Sequence, residues 1–367
     1  MHDFKMRPFF SIVVSCHNVA SHVQECLLSL QKQSFGDWEC LVMVEESDDD
    51  TEKAVRELVS SDFHFRVISL PDSGSHATSR NIGTDNAQGE YVIYLDGSDS
   101  IADNALERLV RGMEERPDAD IYACAILEYG KGAIPFRTID NFTCDAPADL
   151  SGHDAILLLY RHWRHPSPMV QENIWKRDFL NANKLRFIPG LRHEGHEYFP
   201  RALYLARRIV PLHEPFYLYR RPDTLQTGGN TEPGFYLKHM NVVLKSLLAF
   251  HASVSAERGF DQRIAHCWAR EWVSWLFDWF YKWNVGKIPR ERRRETLKFI
   301  FENGFGDLDA LMKHATLQRR IAVWWVKSFV KHPSCSGMAE MFFRFYFLFA
   351  DMKNKAISQG LHIHGED

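Results

Sequence analysis

The sequence predicts an α/β fold, a mostly parallel sheet flanked by helices, with a helical extension at its C-terminal end. Three observations carry this. Short apolar runs alternate with amphipathic helical stretches over about the first 125 residues. The runs are apolar throughout, as strands covered on both faces are. From about residue 226 the pattern changes to long helical stretches rich in Trp, Phe and Arg.

The elements follow in order. FFSIVVS (9–15) reads as the first buried strand. Asn18 and Ser21 are candidate N-caps, and Ser21 with Gln24 makes a capping box. Val23, Cys26, Leu27 and Leu30 then recur at helical spacing. ECLVMV (39–44) is the second strand, 51–59 a helix, and RVISL (66–70) the third strand. A helix covers 76–87, YVIYL (91–95) is the fourth strand, 105–113 a helix, and DIYACAIL (120–127) closes the set. Residues 150–225 hold several short mixed elements. The expected division is 1–225 for the sheet domain and 226–367 for the helical region.

Totals bound the function. The chain has 367 residues, 45% of them hydrophobic and 13% aromatic, which excludes a disordered protein. A formal charge of -4 gives no general attraction to nucleic acid. Seven scattered cysteines form no CxxC pair, so free thiols in a reducing compartment are expected. No stretch reaches the roughly 18 apolar residues of a transmembrane helix, and FFSIVV is short for a signal peptide. The reading is cytoplasmic, peripheral on the inner face of the plasma membrane.

In parallel α/β sheets, ligands sit beyond the C-terminal ends of the strands. Here those ends carry Ser15 to Asn18, Glu45 to Asp50, and Asp96 to Asp99. Neither GxGxxG after the first strand nor GxxxxGK[ST] is present, so glycine-cradled nucleotide sites are disfavoured. Two carboxylates at a strand end, Asp96 and Asp99, can hold a divalent cation, Mn or Mg, that neutralises a diphosphate. The bland alternative is a solvated turn capping the next helix.

These stretches resemble family 2 glycosyltransferases, the inverting nucleotide-sugar enzymes of the GT-A fold, of the bacterial surface-polysaccharide type. The matching segments are SCHN (15–18), QKQSFGDWE (31–39), VEESDDDT (44–51), SRNIG (79–83) and GEYVIYLDGSD (89–99). ENIWKRDFLNANKLRF (172–187) resembles the acceptor-side segment, FIPGLRHEGHEYF (187–199) the one carrying the base, and EPFYLYRRPDTLQTGG (214–229) the YxYR segment.

The resemblance implies a nucleoside diphosphate sugar donor, UDP-linked, and a glycan or lipid-linked acceptor. Ser15 would lie against the nucleotide, with Glu45 or Glu46 accepting from the base. Arg80 would face a phosphate or the pocket rim. Asp96 and Asp99 match the first and third aspartates of a DxDD-like turn, with Ser98 in place of the second. Both would serve metal and donor, in an unassigned division. The base would be Glu194, Glu197 or His196, since the family's ED pair reads Glu194–Gly195 here. Arg220 is the cation for the leaving phosphate, and Arg221 its alternate.

In the C-terminal third, Trp268, Trp272, Trp275, Trp279 and Trp283 share one helical face. They read as a core seam packed on the sheet domain or as an interfacial helix. KWNVGKIPRERRR (282–294) beside them reads as a patch for an anionic membrane surface, not for nucleic acid. Two rivals remain. Glu45, Ser98 and Gly195 depart from the family pattern, as a non-catalytic relative would. A nucleotidyltransferase would show a basic, Gly-rich loop after the first strand, which SCHNVASH lacks.

Overall fold

The computed structural model describes residues 7–73, 75–130, 135–142, 146–162, 166–221, 233–282 and 324. Contacts divide the chain into two compact units, Met1–Thr231 and Glu232–Asp367.

The first unit is built on one nine-stranded sheet. Its first half holds β1 (Phe10–Cys16), α1 (Val23–Gln31), β2 (Trp38–Glu45), α2 (Thr51–Val59), β3 (Phe65–Leu70), α3 (His76–Asn86) and β4 (Tyr91–Asp96). β2 and β4 flank β1 and β3 flanks β2, all in parallel. Every residue of β1 is buried, as the unbroken apolar run requires when helices cover both faces.

The second half holds β5 (Ser100–Ile101), α4 (Ala105–Glu115), β6 (Ile121–Tyr129), β7 (Pro135–Asp140) and α5 (Gly152–His162). A 3-10 turn at Val170–Glu172 leads into β8 (Asn173–Lys176), α6 (Arg177–Ala182), α7 (Gly195–Leu205) and β9 (Ile209–Arg220). The strand order is β3-β2-β1-β4-β8-β6-β9-β5, with β7 on β6. The short strand β8 runs antiparallel between β4 and β6, so residues 120–127 do not extend the parallel series directly. β6 and β9 then pair in parallel.

The proposed capping box is corrected. α1 starts at Val23, with His22 at the cap and no side-chain cap bond. Val19 and Ala20 donate instead to Thr51 Oγ1 (2.8 Å) and Asp49 Oδ2 (3.0 Å). Asn18, in the left-handed region at φ 52°, accepts from the Asp48 N–H (2.8 Å). The turn after β1 is thus tied to the turn after β2, and both face the strand ends.

Register sets the site. Ser15 lies beside Asp96, and Cys16 beside Val44. α3 packs on the face that Val13 and Ser15 share. A Cβ at Gly83 would overlap the Val13 side chain, so only glycine permits this approach. The packing brings Ser79 and Arg80 to the strand ends.

The second unit includes α8 (Pro233–Ser255) and α9 (Gln262–Lys282). Trp268 and Trp272 are fully buried and stack with centroids 5.6 Å apart. Their rings lie 5.9 and 6.4 Å from His251. These two are core residues among the helices of the second unit, not an exposed interfacial face. The side chains of Trp275 and Trp279, with Trp283 and residues 283–294, lie outside the described residues. Among the described residues, no helix is long and apolar enough to cross a membrane. Cys16, Cys26, Cys40 and Cys124 are buried free thiols and Cys267 is a partly buried one; Cys144 and Cys335 are not described.

Candidate active site

The sharpest feature at the strand ends is a buried cation between two carboxylates. Arg80 is 2% exposed. Its Nη2 donates to Asp96 Oδ1 at 2.6 Å, and its Nη1 to Glu194 Oε1. Tyr94 and Phe187 rings flank it, at 6.0 and 5.7 Å. Burial opposes the guanidinium charge, but the carboxylates of Asp96 and Glu194 more than restore it. Arg80 therefore joins the end of β4 to the first turn of α7.

Asp96 and Asp99 have different surroundings. The second oxygen of Asp96 accepts from Gln171 Nε2 at 2.8 Å. Burial works against its charge, yet Arg80, His76 and the Gln171 amide hold the carboxyl below its usual range. Asp99, 2% exposed, meets only neutral donors in hydrogen bonds. Tyr217 Oη donates to Oδ2 at 2.6 Å, and the Arg220 N–H donates to Oδ1 at 2.9 Å. Burial, and then the charge of Asp96, push its carboxyl up to about 7. Tyr217 keeps its proton, because burial and Asp99 raise its phenol well above the usual range. The same hydroxyl accepts the Asp96 N–H at 3.2 Å. One phenol thus spans the acidic turn.

This chemistry fits a hard divalent cation at Asp99. Each carboxylate oxygen keeps a lone pair beyond its one hydrogen bond. A cation there would relieve the charge that burial and Asp96 penalise. The Asp96 oxygens instead face a guanidinium and an amide. Elsewhere among the described residues, His17, Glu45 and Asp72 bring possible ligand atoms within 4.8 Å of one another.

The other expected site residues fall as follows. Ser15 is buried at the end of β1, and its Oγ has no hydrogen-bond partner. Glu45 is buried too. Its carboxylate accepts from the N–H and hydroxyl of Ser73 (3.1 and 2.9 Å) and from Ser79 Oγ. Glu46 is exposed and lines an open groove with Lys53 and Arg56, away from Arg80. Arg220 turns its guanidinium to Glu25 and to the Ser98 carbonyl (Nε, 3.2 Å), 5.0 Å over the Tyr129 ring. Arg221 is more exposed, with Nε 3.9 Å from Glu128.

The start of α7 divides the three candidates. Glu194 stands at the N-cap position of α7, without a side-chain cap bond, and meets Arg80. Glu197 is 1% exposed, with its carboxylate on Arg201 at 2.6 and 2.7 Å. His196 is half-buried, its ring 6.3 Å from that of His193. Gly195 lies hard against the next loop, where a Cβ would run into the Pro168 carbonyl oxygen. This backbone has no room for the aspartate that the family pattern puts there.

Sequence reasoning missed Gln171, Tyr217 and Glu25. Tyr217 had a signal, as the first tyrosine of YLYR on a buried strand. Gln171 and Glu25 had none.

The strand-end crevice, with two carboxylates on a turn, a buried arginine and an acidic helix start, lies where α/β sheets of this kind bind their ligands. The model of glycosyl transferase family 2 matches residues 11–171, somewhat under half of the chain. The chain is 24% identical over 221 residues to glycosyltransferase GlyG of Streptococcus pneumoniae, covering 59% of this chain and 72% of GlyG. It is 27% identical over 150 residues to TuaG of Bacillus subtilis, named a putative teichuronic acid biosynthesis glycosyltransferase, covering 41% of this chain and 58% of TuaG. In fold it is similar to S. aureus TarS 1-349, solved in complex with UDP-GlcNAc: TM-score 0.66, 18% identity, 88% of each chain.

Proposed function

We propose that the chain is an inverting glycosyltransferase. It moves a sugar from a UDP-linked donor to a hydroxyl of a glycan or lipid-linked glycan in surface polysaccharide synthesis. The observation that carries the reading is the Arg80 junction, which joins the strand end bearing Asp96 to the helix start bearing Glu194. A donor pocket and an acceptor base must meet in this way for one displacement at the anomeric carbon.

In this reading Ser15 and the Glu45 end of the crevice receive the nucleoside. Asp99 holds the divalent cation, Mn or Mg, which neutralises charge on the leaving diphosphate when bound. Arg220, close behind Asp99, adds positive potential on the same side. Glu194 takes the acceptor proton at Oε2, because Oε1 is held by Arg80. Asp96 keeps Arg80 in place. The acceptor works from an anionic membrane surface on the cytoplasmic side, which the basic run 282–294 supports.

Calorimetric titration of UDP, with and without manganese, on wild type and Asp99→Ala tests the donor side. Metal-dependent binding in wild type and its loss in Asp99→Ala are expected. Wild type that does not bind UDP sinks the UDP assignment. Binding without any hydrolysis of UDP-sugars favours the non-catalytic relative, a reading to which Gly195 lends weight. Glu194→Gln should lower turnover about 100-fold or more with UDP affinity kept. Unchanged turnover would move the base to His196.

A further inference from the structure

The junction is part of a closed ring. From Gln171 it runs through Asp96, Arg80 and Glu194 to Gly195, then across to Pro168 and back along the chain to Gln171. Three links are hydrogen bonds between side chains, one is a backbone contact too close for a Cβ, and the rest is covalent. Gln171 is where the ring passes from loop to strand.

Its place follows from the sheet. β4 and β8 pair Tyr91 with Lys176, Val92 with Trp175 and Ile93 with Ile174. The same register, continued, sets Gln171 opposite Asp96. The loop before it is braced on several sides. Asn141 Nδ2 donates to the Ser167 carbonyl at 2.9 Å, and Asn141 Oδ1 accepts the Ser167 N–H at 2.7 Å. Trp175 Nε1 donates to the Val170 carbonyl at 3.1 Å. Asn141 Nδ2 also donates to Glu172. Such a loop can aim a side chain to within the small tolerance that catalysis demands.

We infer that Gln171 is a positioning residue. From this braced loop it fixes the second oxygen of Asp96, and through Asp96 and Arg80 it sets where Glu194 stands. The inference rests on the reading that Asp96 and Glu194 face donor and acceptor. An amide is the group the position requires. A carboxylate at 171 would repel Asp96, and an apolar side chain would leave Oδ2 without a donor and the Asp96–Arg80 pair free to rotate.

Gln171→Met keeps the length and removes the amide. Hydrogen–deuterium exchange without ligand reads the ring directly. Faster exchange at 192–199 by about 10-fold is expected, with 10–45 unchanged and the melting temperature nearly so. Faster exchange confined to 167–175 overturns the inference, because the effect then stops at the loop. Calorimetry with UDP and manganese, and UDP-GlcNAc hydrolysis, supply a second arm. There, affinity and KM within about 3-fold of wild type and kcat lower by 10-fold or more are expected. Affinity, KM and melting temperature falling together would show a merely structural residue. Wild type that fails to bind UDP removes the functional reading, while the exchange result still judges the ring. Gln171→Asn, which keeps the amide one methylene short, should restore part of the kcat.

Discussion

Residues 9–96 and residues 141–220 build opposite sides of one crevice by different means. The first stretch is a run of parallel ladders in which each strand is held by its neighbours. The second pairs its strands as well, and the loops between them are held by side chains that reach backbone across long separations. Asn141 binds Ser167, Asp120 accepts the Arg207 N–H at 2.8 Å, and Asp99 accepts that of Arg220. A ladder tolerates exchange of apolar residues of similar volume, because its bonds belong to the backbone. A side-chain brace does not. Substitutions on the acceptor side should therefore cost more than comparable ones in the parallel half.

The largest expected effect is at Gly195. Gly195→Asp would recreate the acidic pair of the family pattern, but its Cβ must displace the Pro168 carbonyl. A cost of about 3 kcal/mol is expected, read from urea unfolding. Gly36→Ala in the parallel half is its control. Nothing lies within 4 Å of a Cβ there, so a change within about 0.5 kcal/mol is expected. A Gly195→Asp protein as stable as wild type and more active would mean that loop and helix stand farther apart.

Asn141→Ala comes next. It strips the Ser167 N–H and carbonyl of their partner and takes a donor from Glu172. About 2–3 kcal/mol is expected, since buried polar groups left unpaired keep their desolvation penalty. Thermal unfolding, with UDP binding as a second readout, checks it. A loss below about 0.5 kcal/mol would show that Trp175 and the β8 ladder hold the loop without Asn141.

The same contrast explains what the sequence could tell. β1 to β4 and their helices fall within one or two residues of where apolar runs and helical spacing put them, because those signals are local. The convergence of Ser15, Glu45 and Asp96 followed from strand direction alone. β8 is four residues long, too short to show a period. Gln171 reaches a carboxylate 75 positions away, and nothing in its neighbours marks it. The supposed capping box failed for a related reason: Asp49 and Thr51 serve that turn from the next β–α connection. Trp268 and Trp272 show a helical face without saying what covers it. The same spacing suits a core and a membrane surface, and only burial decides.

Glu172 carries the smallest effect and the finest test of the brace. It is 1% exposed, and its Oε2 has no hydrogen-bond partner. Burial raises its carboxyl well above the ordinary value of 4.5; Asp140 adds to the rise, and bonds from Ser167 and Asn141 offset part of it. The folded state thus holds a proton that the unfolded chain gives up from about pH 4.5 upward. Below that pH both states are protonated and the site contributes no slope. Above it the unfolded chain binds fewer protons, so stability falls as pH rises toward the folded value. Glu172→Gln resembles the protonated form and should remove this slope. Its melting temperature should match wild type near pH 4 and exceed it at pH 8 by roughly 2–4 °C, about 1 kcal/mol. A difference that stays constant from pH 4 to pH 8 would mean Glu172 is ionised in the folded protein, held by more positive charge than the loop and β7 supply. A growing difference would show that the brace beneath Gln171 trades stability for position, as the parallel half has no need to do.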